Sequence, residues 1–221
     1  MISFENAGKA YRNRKGVTSW VFRDFNARFP EGRSIGILTP RGQGKTTLIS
    51  LAAGNEPTSE GRIYRQGRVS WPFGFRSNIS NRLTGKQNLR FMTDVYGRNF
   101  GDAYDFVAEF SELGRHLDAP MRQYNNEMRG RFAISSLFAM DFSFILIDDS
   151  MDGGDNAFRR RCTQYLEENA DRLTFFMATG SVPLVTKYCQ SAGVLNEGKM
   201  TLYDSIPEAV EEFNKVNQVF V

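Results

Sequence analysis

The sequence predicts an α/β fold with a β-rich N-terminal subdomain and an all-helical subdomain inserted into its middle. Three observations carry this reading. Short apolar or alternating stretches recur at residues 2–4, 25–29, 34–38, 61–64, 69–71, 144–147, 174–178, 193–195 and 200–203, with helical periodicity between the later ones. Residues 84–141 are helical in pattern throughout, broken at Gly97, Gly101, Gly114 and Pro120. Residues 34–38 lead directly into a glycine-rich loop and then an apolar helix, a succession that belongs to α/β proteins.

Bulk properties frame these elements. At 221 residues the chain is long enough to bury a full core, and residues 1–221 are read as a single domain carrying the 84–141 insert. No apolar run approaches the roughly 20 residues that a membrane span needs. The first residues, Met1-Ile2-Ser3-Phe4-Glu5-Asn6, lack the charged-then-apolar pattern of an export signal, so a cytoplasmic location or one on the cytoplasmic membrane face is expected. Cys162 and Cys189 are too few and too far apart for a disulfide framework or a zinc site, and are read as buried reduced thiols. A net charge of +3 tolerates an anionic ligand without demanding nucleic acid, and no nucleic-acid partner is expected. Residues 206–217, with Pro207 at the start and Glu208, Glu211 and Glu212 in the early turns, read as a closing surface helix.

The loop carries the first chemistry. Thr39-Pro40-Arg41-Gly42-Gln43-Gly44-Lys45-Thr46-Thr47 follows the apolar strand and precedes Leu48-Ile49-Ser50-Leu51. This is the strand, loop and helix order of a P-loop, in which Gly42 and Gly44 let successive N–H groups face phosphate oxygens. Lys45 is placed to bridge the β- and γ-phosphates of ATP and the Thr46 hydroxyl to ligate Mg²⁺, with Arg41, Gln43 and Thr47 lining the same loop. Thr39 replaces the first glycine of the full pattern, and Pro40 removes a backbone donor nearby.

A second motif follows about a hundred residues later, where Phe144-Ile145-Leu146-Ile147 ends in Asp148 and Asp149. Such a strand is expected beside the P-loop strand, with Asp148 holding Mg²⁺ through water. Asp149 falls at the general-base position. Taken singly, the loop reads equally as a glycine-rich turn and the carboxylates as a solvated strand end; together they favour a P-loop NTPase core.

With both motifs placed, the whole chain resembles the ABC ATPases in order. The resemblance implies that Tyr11 stacks on adenine, and that Tyr124-Asn125-Asn126-Glu127-Met128-Arg129-Gly130-Arg131 is the signature segment capping the γ-phosphate of an opposite subunit. It also implies that Asp152-Gly153-Gly154-Asp155 exchanges contacts across a dimer, and that Met177-Ala178-Thr179-Gly180-Ser181 is the switch segment. Three further words, Ser70-Trp71-Pro72-Phe73-Gly74, Leu83-Thr84-Gly85-Lys86-Gln87-Asn88-Leu89 and Glu109-Phe110-Ser111-Glu112-Leu113-Gly114, are similar to the ATP-binding subunits of capsular polysaccharide exporters. That family implies a polytopic membrane permease partner, a homodimer or a paired ATP-binding subunit, and a peripheral position on the cytoplasmic face of the bacterial inner membrane. Residues 71–99 are expected to dock the permease through an exposed Trp71, Phe73 and Phe75.

Several positions depart from the family pattern. An aspartate at 149 is one methylene shorter than the usual glutamate base. Gly180 replaces the histidine that touches the γ-phosphate. Asn126 and Glu127 stand for the signature serine and glycine, and a carboxylate there repels phosphate unless a cation intervenes. Three function classes follow: a slow ATPase in a homodimeric exporter, a degenerate subunit paired with a competent ATPase, and a non-hydrolysing structural or regulatory module. Arg159-Arg160-Arg161 reads as a solvated face, His116 as a surface histidine, and Phe25, Phe29, Phe106, Phe110, Phe132 and Phe138 as packing residues.

Overall fold

Residues 1–73, 79–149 and 153–218 are described by this computed structural model. They divide into two units, one drawn from residues 1–74, 143–151 and 171–221, the other from 75–142 and 152–170. In the first unit β1 (Ile2–Arg12) lies between β2 (Thr18–Phe29) and β4 (Glu60–Arg65) in an antiparallel sheet. The sequence pattern showed only residues 25–29 of β2. Its outer half carries mostly exposed side chains and lacks a buried face, so pairing with residues 9–12 of β1 holds it in the sheet.

The second sheet of this unit runs in the order β5, β6, β3, β7, β8. These are Phe144–Asp148, Thr174–Thr179, Ile35–Leu38, Ser191–Asn196 and Lys199–Tyr203, with only β8 antiparallel to its neighbour. This corrects the expectation that the aspartate strand adjoins the P-loop strand. All six residues of β6 are buried, as an interior strand of a parallel sheet requires, and β6 separates the two.

Residues 69–71 make no strand either. Val69 and Phe73 form isolated parallel bridges to Phe144 and Ile147, and Pro72 between them has no N–H to continue a ladder. The Ser70 hydroxyl accepts the Leu146 N–H at 2.9 Å instead. Trp71 and Phe73 are buried, at 7% and 6% exposure, which removes them as a docking face; Gly74 and Phe75 lie outside the described residues.

Three helices complete the first unit: α1 (Lys45–Ala53), α6 (Val182–Tyr188) and α7 (Ile206–Gln218). Helix α6 approaches β3 so closely that a Cβ on Gly36 would meet Val185 at 2.6 Å. Helix α7 turns Ala209 and Phe213 inward. The two sheets share one core, in which Phe4 stands edge-on to Phe25 and Phe29, and Phe29 packs on Phe176 with ring centroids 4.4 Å apart.

The second unit is helical among its described residues: α2 (Gly85–Tyr96), α3 (Phe100–Ser111), two 3₁₀ turns at Gly114–Asp118 and Met121–Gln123, α4 (Asn126–Ala139) and α5 (Asn156–Glu168). Its helix starts are written in the sequence. Thr84 and Gln87 form a capping box on α2, and Asn99, Asn125 and Asp155 each accept a backbone N–H at the starts of α3, α4 and α5. Phe110 meets Phe106, Phe138, Phe158 and Tyr165 in an aromatic cluster that joins α3, α4 and α5.

Two outcomes follow. Phe29→Ala removes the ring shared by the two sheets and is expected to destabilise the first unit by about 3–5 kcal/mol in urea unfolding. Burial pushes the Cys162 and Cys189 thiols up to about 12. Both are therefore expected to resist a thiol-reactive dye at neutral pH in the native chain and to react once it is unfolded in urea.

Candidate nucleotide site

In the first unit the chain leaves β3 at Leu38, and the buried Thr39 still donates its N–H to the Thr179 carbonyl at 3.1 Å. Thr39 thus continues the sheet, and the loop proper begins after it. Gly42 and Gly44 take left-handed φ values of 82° and 96°. Gly44 is the cap residue of α1, and among the described residues no side chain bonds the helix's first N–H groups. Those donors are left for an anion, aided by the helix dipole. A Cβ on Gly42 would meet nothing within 4 Å, whereas one on Gly44 would strike Val21 at 2.5 Å. The arch is therefore open around Gly42 and tightly backed at Gly44. Gln43 is engaged through its side-chain oxygen, which accepts the Glu197 N–H at 3.0 Å, and Arg41 is exposed beside the arch.

Two carboxylates face this helix start. Asp148 closes β5; burial, with Asp149 beside it, raises its pKa, and the nearby Thr46 hydroxyl opposes that rise. Asp149 has a φ of 72°, its N–H donates to the Ala178 carbonyl at 2.9 Å, and its own carbonyl accepts the Thr179 hydroxyl at 2.7 Å. Its carboxylate accepts Lys45 Nζ at 2.7 Å. That bond, joined by the Gly180 N–H and the charge of Arg41, holds the Asp149 carboxyl below the usual carboxylate range.

The donor set fits the ligands named from sequence. The Thr46 hydroxyl and the nearby Asp148 carboxylate are hard oxygen ligands suited to Mg²⁺. Among the described residues no three His, Cys, Asp or Glu side chains converge, so nucleotide oxygens and water would complete the shell.

Tyr11, at the end of β1, has a ring 43% exposed and a hydroxyl 2.7 Å from Glu56 Oε2 and 3.2 Å from Thr47 Oγ1. Lys9 ties down the same Glu56 at 2.9 Å. Burial alone would raise the Glu56 carboxyl, but the Tyr11 and Lys9 bonds outweigh it and hold its pKa low. Sequence reasoning missed Lys9 and Glu56. No local motif marks either; only the long-range approach of residue 56 to β1 reveals them.

Asn126 and Asp155 belong to the second unit. Asn126 is the first residue of α4, and Asn125, one place earlier, makes the cap by accepting the Met128 N–H at 2.8 Å. Glu127 has a cation beside it, since Arg131 one turn later pairs with it at 3.3 Å. Asp155 caps α5 through the Phe158 N–H at 2.8 Å and pairs with Arg131 at 3.0 Å. Asp152, read with it from sequence, lies outside the described residues. Arg161 leaves the solvated face assigned to it, donating to the Phe110 carbonyl and pairing with Glu112, while Arg159, Arg160 and His116 are exposed.

The ABC transporter family model matches residues 22–152. The chain is 33% identical to the polysialic acid transport ATP-binding protein KpsT of Escherichia coli, covering 97% of this chain and 99% of that protein. It is 35% identical to the capsule polysaccharide export ATP-binding protein CtrD of Neisseria meningitidis serogroup B, over 98% of this chain and 100% of the relative. The solved dimer of the ATP-binding cassette MJ0796 in a post-hydrolysis state with ADP and Pi shares the fold, with a TM-score of 0.76 at 18% identity, over 91% of this chain and 98% of that one. This chain belongs to the ABC transporter family. Within it, the chain stands with the group whose members include the ATP-binding proteins of capsule and polysialic acid export.

Proposed function

We propose that this chain is the ATP-binding subunit of a transporter that exports capsular or related cell-surface polysaccharide across the inner membrane, and that its hydrolysis is weakened. One observation carries the nucleotide part: Lys45, Thr46, Asp148 and Asp149 converge on the uncapped start of α1 beside an open arch at Gly42. The names of its relatives support the export part.

In this reading the first N–H groups of α1 and the Lys45 ammonium bind the phosphates, Thr46 and Asp148 hold Mg²⁺, and the Tyr11 ring, braced by Glu56, supports the base. Mg²⁺ supplies charge neutralisation at the phosphates. Asp149 orients the attacking water, with less reach than a glutamate. Asn126 and Asp155 serve a second subunit, either another copy or a paired ATPase. Among the described residues no helix is long and apolar enough to cross a membrane, so export needs a permease. Helix α2 offers a docking face in residues 71–99, since Phe91 and Val95, one turn apart, are 61% and 59% exposed.

A paired arrangement is the second reading, because Asn126 and Glu127 alter what this chain offers a partner and leave its own Lys45 site intact. Titration of a fluorescent ATP analogue is expected to show Lys45→Ala binding at least about tenfold more weakly than wild type; equal affinities would remove nucleotide binding at this loop. The combined change Asp149→Glu, Gly180→His, Asn126→Ser and Glu127→Gly is expected to raise turnover at saturating ATP with affinity nearly unchanged, while each single change does little. Turnover of roughly 1 s⁻¹ or faster by the unaltered chain, within the ordinary enzyme range, would show that these positions are not damage.

A further inference from the structure

The second unit holds one cation with far more partners than helix packing requires. Arg131, in the second turn of α4, keeps a side chain only 14% exposed. Its Nη1 reaches Glu112 Oε2 and the Ser111 carbonyl, both at 3.2 Å, at the end of α3. Its Nε reaches Glu127 Oε1 at 3.3 Å on the first turn of α4, and its Nη2 reaches Asp155 Oδ2 at 3.0 Å, the cap of α5. The guanidinium also lies 5.3 Å from the centre of the Phe158 ring. Three carboxylates thus converge on one guanidinium, and among the described residues Arg161 joins it at Glu112. Among the described residues Arg131 is the cation paired with Glu127 and Asp155.

A steric constraint falls at the same place. A Cβ on Gly130 would lie 2.6 Å from the Gly153 Cα, so the backbone of α4 and the turn at 153–155 are in direct contact. A backbone-to-backbone approach of this kind permits no side chain at Gly130 or Gly153. The planar fork beside it donates in several directions at once, a geometry that a single ammonium cannot reproduce.

We propose that Arg131 is a positioning residue that locks the start of α4 and the 153–155 turn into one body. The two segments then present Asn126, Glu127 and Asp155 to a second subunit in fixed register, and Arg131 is the cation that lets a carboxylate occupy position 127. This rests on the reading that these segments act across a dimer.

The test uses the full chain with Arg131→Met and Arg131→Lys. Hydrogen exchange is read at amides 126–128 and 153–158. In the Met variant both groups are expected to exchange at least about tenfold faster together, the size of one lost charge-assisted bond, with α2 unchanged; the Lys variant falls between. If only one group accelerates, the two segments are not one body and the proposal is overturned. A second readout separates positioning from mere stability: ATP-driven self-association and kcat at saturating ATP fall in the Met variant while affinity for the fluorescent ATP analogue stays near wild type. Unchanged association and kcat would reduce Arg131 to a packing residue and overturn the proposal. Should the Met variant fail to fold, the charge-retaining Lys variant decides by the same two measures. A wild-type chain that neither binds ATP nor self-associates would sink the nucleotide reading, and the paired exchange would still decide whether Arg131 couples the two segments.

Discussion

The chemistry of the first unit depends on a helix that starts without a cap. Helix α1 begins at Lys45 directly after a glycine with a φ of 96°, and among the described residues no side chain answers its first N–H groups. Unanswered donors at a helix start are tolerable in water and more useful against an anion. The rest of the loop keeps those donors accessible. Thr39 remains in the sheet, Gly44 is backed by Val21, and Gln43 is fastened to the Glu197 N–H, so the arch at Gly42 is held open by groups that do not enter it.

The same helix start explains the Lys45 and Asp149 pair. Its geometry is good at 2.7 Å, yet the Asp149 side chain is 65% exposed, and an ion pair in that setting contributes little to stability. A weak pair is readily exchanged for phosphate. Asp149 itself is held by its backbone, where the Ala178 carbonyl and the Thr179 hydroxyl fix its left-handed φ. The backbone at 149 therefore does not depend on the bond to Lys45.

Local chemistry was legible in the sequence, and long-range placement was not. The glycine loop, the aspartate-ended strand and the helical start at Thr84 each announce themselves within a few residues, because turns, caps and strand ends are local events. The order of the strands is not local, and β6 came between β3 and β5 through its burial on both faces. Pro72 broke a predicted strand while burying the aromatics expected to be exposed. In the site, Tyr11 was visible through resemblance, but Glu56 and Lys9 were not, and Arg131 looked like any helical arginine until Glu112 and Asp155 arrived beside it.

The altered positions differ in what surrounds them, and that difference orders their reversibility. At Gly180 a new Cβ would meet nothing nearer than the Thr39 carbonyl oxygen at 3.8 Å, so a larger side chain has room to enter. At Asp149 an added methylene extends a carboxylate that already looks out to solvent. Glu127 is different, because it accepts from Arg131, and deleting its side chain returns one of the guanidinium's bonds to water. Two of these positions, 149 and 180, thus leave room for a longer or larger side chain. The third, Glu127, is tied into the electrostatics of its own unit, where a glycine would also change what holds the 153–155 turn.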